Sequence, residues 1–424
     1  MKIKSLIPQN LKNIYHLIRA IWANVWFGFP SQKIKIIGVT GTNGKTTTVQ
    51  MIAKILEEAD AKVAVVSTIN FKIGKKKQIN KTKFTTLSSW STQKFIKQAV
   101  GANCDYLVLE TSSHSLDQYR VWGIHYDTAV ITNVTREHLD YHKTMKKYRQ
   151  AKLKLFKNAK NIVVNLDMEY LEKFILEGKE KYYGYSTKAP IRFQIPNSNF
   201  KTVMAKDIKL GINESSYKLQ VTNYKLNLPG LFNVENALAA SCVGKIYGIS
   251  DEVMARALSK IKGIPGRLES VSNDRGLNII IDYAVTPDSL KKLYGLINKM
   301  KNQKEKIIAV FGACGNRDRG KRPIMGKIVS QFADYIILTN EDPYNEDPEQ
   351  IINELELGIK DHKLNKNYFK ILSREEAIKK ALQMAKPGDF VVVTGKGAEE
   401  TMAIKNKRIP WNDKKVIQEI LQKV

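Results

Sequence analysis

Cysteine is scarce in this chain. Cys104, Cys242 and Cys314 are its only three, they lie far apart, and none belongs to a Cys-x-x-Cys pair. So few thiols at such spacing argue against both a disulfide framework and a zinc site, and they suit a reducing cytoplasm. Long apolar runs are also missing, since no stretch reaches the roughly 18 residues of a membrane-spanning helix. The start of the chain has no small-residue cleavage site, which argues against a secretory signal. Acid is in deficit as well: 41 Asp and Glu stand against 69 Lys and Arg, a formal charge of +28. No internal repeat, low-complexity tract or familiar nucleic-acid-binding signature accompanies that charge, so no nucleic-acid partner is expected.

What is present is a globular composition, 43% hydrophobic and 26% charged over 424 residues, enough for two or three domains with their own cores. The positive charge favours anionic partners such as nucleotides, acidic substrates or anionic membrane, or else spreads over a solvated lysine-rich surface. Residues 11–30 (LKNIYHLIRAIWANVWFGFP) are apolar and aromatic, interrupted by Lys12, His16 and Arg19. They read as an amphipathic helix that either packs on the protein itself or lies on a membrane surface.

From residue 34 strands and helices alternate. Residues 34–39 (IKIIGV) form a short β-branched run, followed by a helical stretch over 45–58. Residues 63–67, 106–110, 128–132 and 161–165 are further buried-strand candidates. Gly74 followed by Lys75, Lys76 and Lys77 reads as a hairpin tip. Between about 193 and 228 polar alternation suggests an attached antiparallel patch. A second alternating unit starts near 263, with strands over 278–281, 307–311, 335–338 and 390–393, and helices over 288–300, 321–331 and 374–385. The expected fold is α/β: a P-loop ATPase domain with a parallel sheet plus an antiparallel patch (34–262), then a Rossmann-like α/β domain (263–424). A short amphipathic segment (1–33) precedes them.

The first strand runs into Thr40-Gly41-Thr42-Asn43-Gly44-Lys45-Thr46-Thr47-Thr48 and then a helix. Strand, glycine turn and helix N-terminus aim backbone N–H groups and the positive end of a helix dipole at one anion. Lys45 adds a point charge and the Thr46 hydroxyl can reach Mg²⁺. Val39 occupies the place of the first glycine in the common GxxxxGK[ST] spacing, so the match is to a shorter Gly-x-x-Gly-Lys-Thr form. Such a loop identifies a nucleotide site and leaves the reaction open.

Downstream segments narrow it. Glu110-Thr-Ser-Ser-His114 and Thr132-Asn133-Val-Thr-Arg-Glu137-His138-Leu-Asp140 each follow a strand, and Tyr148 and Ala151-Lys152 come soon after. Gly230-Leu-Phe-Asn233-Val-Glu-Asn236, Gly266-Arg267-Leu-Glu269 and Asp282-Tyr-Ala-Val-Thr286 continue the series. Gly312-Ala-Cys-Gly315-Asn-Arg317-Asp318, Glu341-Asp-Pro343 and Gly395-Lys396-Gly397-Ala-Glu399 close it. In this order the segments resemble the Mur ligase family, most closely the UDP-N-acetylmuramoyl-tripeptide synthetases, over residues from about 34 to the C-terminus. The resemblance implies an ATP-dependent ligase that phosphorylates a muramyl-peptide carboxylate and lets an amino acid displace the phosphate.

Roles follow from the same resemblance. Gly41, Thr42, Asn43, Gly44, Lys45, Thr46 and Thr47 would hold the ATP phosphates, and Asn233 and Asn236 would lie near the adenine. Thr46, Glu110 and His138 would hold Mg²⁺, and Lys152 would be carbamylated. Arg267 would clamp the transferring phosphate and Asp282 would face the nucleotide, completing a catalytic set with Lys45 and Lys152. Thr85, Thr86, Ser112 and Arg120 correspond to acceptor-peptide positions. Asp342, Pro343, Tyr344, Gly395 and Glu399 correspond to the incoming amino acid. Folylpolyglutamate and poly-amino-acid synthetases share this chemistry, as do ligases that modify lipid-linked precursors; a catalytically silent nucleotide-binding protein is the alternative of another class.

The chain departs from the family pattern in several places. About 33 residues precede the first strand, short of a UDP-gripping domain. Val285 and Ala398 stand where the family has histidines. Tyr344 stands where the diaminopimelate-adding enzymes carry an arginine.

Overall fold

β-Branched runs form the strands, and helices with one apolar stripe cover them. The computed structural model describes residues 8–82, 84–188, 200–211 and 213–423. They fall into two compact units, Met1–Val134 with Thr144–Lys262, and Gly263–Val424 with Thr135–Lys143.

The first unit opens with helix α1 (Gln9–Phe27), strand β1 (Lys35–Thr40), α2 (Lys45–Glu58) and β2 (Val63–Val66). The hairpin β3 (Asn70–Ile73) and β4 (Lys76–Ile79), then α3 (Ser89–Gly101), β5 (Tyr106–Glu110), α4 (Ser113–Asp117) and β6 (Tyr126–Ile131) follow. Next come α5 (Met145–Lys157), β7 (Ala159–Asn165), β8 (Lys181–Ser186) and β9 (Phe200–Met204). The nine strands form one sheet in the order β4-β3-β2-β5-β1-β6-β7-β8-β9. Neighbours are parallel from β2 to β9, and only the β2–β3–β4 edge is antiparallel. A separate antiparallel sheet holds β10 (Lys206–Leu210), β11 (Ser215–Leu219) and β12 (Thr222–Leu226). Tyr217 and Tyr224 stack across it at 5.0 Å. Helices α6 (Leu231–Ile246) and α7 (Asp251–Ser259) complete the unit.

β1 lies at the centre of the sheet, so its side chains are enclosed on both faces. A Cβ at Gly38 would come within 2.7 Å of Leu155 and of the Tyr126 ring. Glycine there lets helix α5 and strand β6 close on the strand that feeds the glycine-rich loop.

In the second unit β13 (Glu269–Val271), β14 (Asn278–Asp282), α8 (Pro287–Met300), β15 (Ile307–Phe311) and α9 (Arg322–Ser330) alternate. So do β16 (Tyr335–Leu338), α10 (Pro348–Glu356), β17 (Tyr368–Lys370), α11 (Arg374–Met384) and β18 (Phe390–Thr394). The sheet order is β13-β14-β18-β15-β16-β17, parallel except for β13. A hairpin, β19 (Thr401–Ile404) and β20 (Lys407–Pro410), and helix α12 (Asp413–Lys423) end the chain. Alternate residues of one strand feed opposite cores. Ile307, Ala309 and Phe311 join one cluster, and Ile308 and Val310 join the other, as a sheet covered on both faces requires.

Two expectations need correction. The strand expected over 128–132 begins at Tyr126 and ends at Ile131. The stretch read as one antiparallel patch from about 193 divides in two. Residues 193–199 lie outside the described residues, β9 joins the large sheet parallel to β8, and the antiparallel sheet begins at Lys206. A period of two shows which face of a strand is buried and carries no information about its direction.

Candidate active site

The glycine-rich loop joins β1 to α2. Six α-helices among the described residues begin on a Ser or Thr side chain that accepts a backbone N–H: those capped by Ser88, Ser112, Thr144, Ser250, Thr286 and Ser373. Helix α2 instead begins on Gly44 in the left-handed region, with no side-chain cap. The N–H groups at its start can therefore turn to an anion. The loop is held from outside. Thr42 N–H donates to the Asn133 carbonyl at 2.9 Å and Asn43 N–H to Asn133 Oδ1 at 3.0 Å, while Thr132 Oγ1 donates to the Asn43 carbonyl at 2.6 Å. The approach is too close for a side chain at Gly41, whose Cβ would lie 1.8 Å from Thr132 Oγ1.

Lys45 folds back on the loop, its ammonium donating to the carbonyls of Gly41 at 3.1 Å and Thr42 at 2.8 Å. Thr46 Oγ1 lies 3.2 and 3.1 Å from the two oxygens of Glu110. Glu110 is buried at the end of β5 and also accepts from Thr68 N–H at 2.8 Å and Thr68 Oγ1 at 2.9 Å. A buried carboxylate beside a hydroxyl at the mouth of a phosphate loop is the hard-oxygen donor set that suits Mg²⁺. Lys152, fully buried on α5, donates to the Gly41 carbonyl at 2.7 Å and lies 4.4 Å from the centre of the Tyr148 ring. Tyr148 in turn shares a hydrogen bond with Thr42 Oγ1 at 3.1 Å. Asn236 Oδ1 accepts from Thr48 Oγ1 at 3.2 Å and stands where a Cβ on Gly44 would be. Asn233 Nδ2 donates to the Pro229 carbonyl at 2.8 Å. Thr47 is buried on the first turn of α2.

The residues expected to hold the acceptor peptide form one chain of contacts in the first unit. Thr68 Oγ1 donates to Thr85 Oγ1 at 3.2 Å, Ser112 N–H to Thr86 Oγ1 at 2.9 Å, and Arg120 Nη1 to the Thr86 carbonyl at 2.9 Å.

In the second unit the chemistry-bearing loops follow the carboxyl ends of β14, β15, β16 and β18, where open α/β sheets bind ligands. Arg267 lies 4.6 Å from the centre of the Tyr283 ring. Asp282 Oδ2 accepts Leu268 N–H at 2.7 Å. Burial pushes the Asp282 carboxyl up to about 6, against the pull of the Arg267 guanidinium. Gly266 takes a φ of 65°, and a Cβ on it would lie 2.1 Å from the Ala398 nitrogen, so the Gly395–Glu399 turn can pack on it only because it is glycine. Lys396, fully buried, donates to Asp342 Oδ1 at 2.9 Å and pairs with Glu399. Asp342 Oδ1 also accepts Ala403 N–H at 2.7 Å. Asp342 and Glu399 thus meet at a lysine that the set of expected site residues omits, with Gly395 its chain neighbour and Pro343 and Tyr344 following Asp342. Its signal was the Gly395-Lys396-Gly397 motif itself.

One further side chain, Glu341, escaped that set, while Tyr344 belongs to it. Glu341 is buried, accepts the Cys314 thiol at 3.0 Å through Oε1, and is pushed up first by burial. Tyr344 occupies a left-handed backbone position; burial pushes its phenol up to about 12, and the Arg317 guanidinium pulls it down. His138 belongs to the second unit, on Thr135–Lys143, where its Nδ1 lies 3.9 Å from Glu137 Oε1. That segment is fastened by the buried pair of Lys321 and Glu137 at 2.9 Å. The third expected Mg²⁺ ligand and Glu110 therefore belong to different units. Among the described residues no three His, Cys, Asp or Glu side chains group as a metal cluster.

Residues 39–244 match the family model for the Mur ligase middle domain, and residues 266–397 that for the Mur ligase glutamate ligase domain. The chain is 40% identical over 413 residues to the UDP-N-acetylmuramoyl-L-alanyl-D-glutamate–2,6-diaminopimelate ligase of Clostridium tetani, covering 96% of this chain and 81% of the relative. A solved structure of a ligase of the same name is 31% identical with a TM-score of 0.60, covering 92% of this chain and 78% of that one. A pseudomurein peptide ligase type C from Methanothermus fervidus shares the fold at 22% identity and a TM-score of 0.66, over 92% of this chain and 79% of its own.

Replacing Lys45 with alanine should lower turnover by roughly 10²-fold or more while the fold is kept, because it removes the cation held at the anion-binding Gly41–Thr42 turn. ATP turnover of the folded variant checks this, and turnover at the parent rate would remove Lys45 from the site.

Proposed function

Since the chain belongs to the Mur ligase family, it is an ATP-dependent, ADP-forming carboxylate–amine ligase, and we propose that it adds an amino acid to a muramyl peptide in peptidoglycan precursor synthesis. The observation that carries this reading is the set gathered at the β1–α2 loop: Lys45, the Thr46–Glu110 pair and the buried Lys152 converge on one phosphate-sized turn. The activity that its relatives are named for, on a UDP-linked muramyl dipeptide, supports the acceptor class. The division into an ATP-binding domain over 34–262 and a C-terminal domain over 263–424 is part of the same proposal, as are a cytoplasmic setting and contact of residues 11–30 with a membrane surface.

A carboxylate is a poor acyl donor because its leaving group would be oxide. Moving the γ-phosphoryl group of ATP onto it forms an acyl phosphate. The amine then attacks the carbonyl carbon, the C–N bond forms, and phosphate leaves. Two anions must first meet, so the site has to offset their repulsion. In this reading Gly41–Thr47 cradle the phosphates, and Thr46, Glu110 and His138 are the residues that would hold Mg²⁺, which would supply positive charge against the repulsion between the anions. Asn233 and Asn236 lie near the adenine, Arg267 grips the moving phosphoryl group bidentately, and Asp282 faces the nucleotide. Thr85, Thr86, Ser112 and Arg120 hold the peptide.

Lys152 acts as a carbamate in this proposal. A buried ammonium is costly, whereas a carbamylated nitrogen keeps one N–H for the Gly41 carbonyl and adds an anion for the metal environment. Lys152→Ala should cripple turnover, and short-chain carboxylates should restore part of it. Full activity without any added carboxylate would show Lys152 to be structural.

Glu399, tied to Lys396, meets the incoming amine, and Tyr344 replaces the arginine that would pair with a distal carboxylate. An unpaired buried carboxylate costs several kcal/mol in effective terms. The enzyme should therefore accept lysine, or another amino acid without that carboxylate, at least as well as meso-diaminopimelate. ADP release measured across a panel of amino acids with muramyl-peptide acceptors decides both points. Strict use of diaminopimelate would overturn the selectivity. ADP release that is indifferent to acceptor and amine would overturn the ligase reading.

A further inference from the structure

Helix α1 touches the first unit along one narrow line. Ala20, Ala23 and Asn24 are buried. Asn24 Nδ2 donates to the Trp122 carbonyl at 2.9 Å, and its Oδ1 accepts Gln93 Nε2 at 3.0 Å. Phe27 meets Trp90 edge-on at 5.0 Å, Trp26 at the edge of the line reaches the same ring at 5.8 Å, and the Lys97 ammonium lies 5.9 Å from the Phe27 ring centre.

Opposite that line the helix is apolar and wet. Leu11, Ile14, Tyr15, Ile18, Ile21, Trp22, Val25 and Trp26 are all exposed, Trp22 by 66% and Trp26 by 68%. At 3.6 residues per turn these eight positions span an arc of about 140° centred opposite the buried line. Lys12 and Arg19 lie along one border of the arc. Neither the 19 residues of α1 nor the 13 of α3 beneath it include an Asp or Glu. His16, on the same flank, is held below the ordinary histidine range by burial first, then by the Arg120 and Arg19 guanidiniums. The helix therefore lies close to Arg120, which bonds Thr86 in the edge assigned above to the acceptor peptide.

We propose that α1 is an interfacial helix whose Leu11–Trp26 arc docks on an anionic bilayer, with Lys12 and Arg19 against the lipid phosphates. This deepens the reading of the Thr86–Arg120 edge as the acceptor site, and rests on it only for what the docking serves: the acceptor edge is held near the membrane surface. Three features select a bilayer as the occupant. Tryptophan and tyrosine on the exposed arc are the side chains that favour the headgroup level. A cation-bordered, acid-free apolar face is the pattern of helices that lie in the interfacial plane. A second copy paired across the same stripe would bring these cationic flanks together with no carboxylate on either helix to offset them. No described helix is long and apolar enough to cross a membrane, which agrees with a helix that lies on one.

Co-sedimentation of the full chain with vesicles tests the proposal, using phosphatidylcholine alone and phosphatidylcholine mixed with phosphatidylglycerol. The protein should partition onto the mixed vesicles, weakly onto the neutral ones, and less as salt rises. Trp22→Ser with Trp26→Ser, and separately Lys12→Glu with Arg19→Glu, should each lower partitioning by about tenfold or more. ADP formation with a soluble acceptor should stay at the parent rate in both variants. Failure of the parent protein to bind mixed vesicles, or equal binding by the tryptophan variant, would overturn the proposal. So would a dimer in sedimentation velocity that the tryptophan variant dissolves while vesicles bind neither form. Loss of ADP formation in the parent protein would instead count against the ligase reading, whatever the vesicles show.

Discussion

A cation taken out of water must find its counter-charge or hydrogen-bond acceptors within the fold, and in a chain with a formal charge of +28 that constraint shapes the parts that matter. Lys152, Lys321, Arg322, Arg374 and Lys396 are all buried. Lys321 holds Glu137, Arg322 holds Glu346 and Glu354, Arg374 holds Asp413, and Lys396 holds Asp342 and Glu399. Lys152 reaches the Gly41 carbonyl. These cations anchor the loops at or near the strand ends, where ordinary apolar packing runs out. Two of the five, Lys152 and Lys396, sit beside proposed substrate positions.

The loop between β1 and α2 was legible because its signals are local. A β-branched run, a glycine turn, a lysine and a helical stretch follow one another within about two dozen residues, and elementary geometry converts that order into an anion site. The strands of both units were legible for the same reason, and the match to known ligases made the order of the remaining segments meaningful. What the sequence concealed lies in pairings between distant residues. Lys321 meets Glu137 across 184 positions, and Asn236 fills the space beside Gly44 across 192; neither side chain has a local pattern that announces its partner. Thr68, which donates two hydrogen bonds to Glu110, sits in an ordinary strand-end turn and was missed entirely. The direction of β9 was hidden because alternation has no polarity. The helical residues 11–30 were recognised as amphipathic, but only the structure shows that small residues face the protein while tryptophans face out.

The two units divide the proposed chemistry unequally. The residues proposed to cradle the triphosphate, with Thr46 and Glu110 for the metal, lie in the first, around Gly41, whereas His138 belongs to the second. The second supplies a stacked arginine, a carboxyl pushed up to about 6, and the Lys396-centred carboxylates. That division suits a reaction in which phosphoryl transfer to a carboxylate oxygen and amine attack on its carbon are separate events.

Acyl-phosphate formation leaves a chemical trace that simple nucleotide hydrolysis cannot. One oxygen of the acceptor carboxylate must depart with the phosphate. With both oxygens of that carboxylate isotopically labelled, one labelled atom should therefore appear in inorganic phosphate for each amide formed, when ATP, Mg²⁺, acceptor and amino acid are supplied together. Amide formation with the label found in AMP, or phosphate release that carries no label, would contradict the account of this chain as an acyl-phosphate ligase.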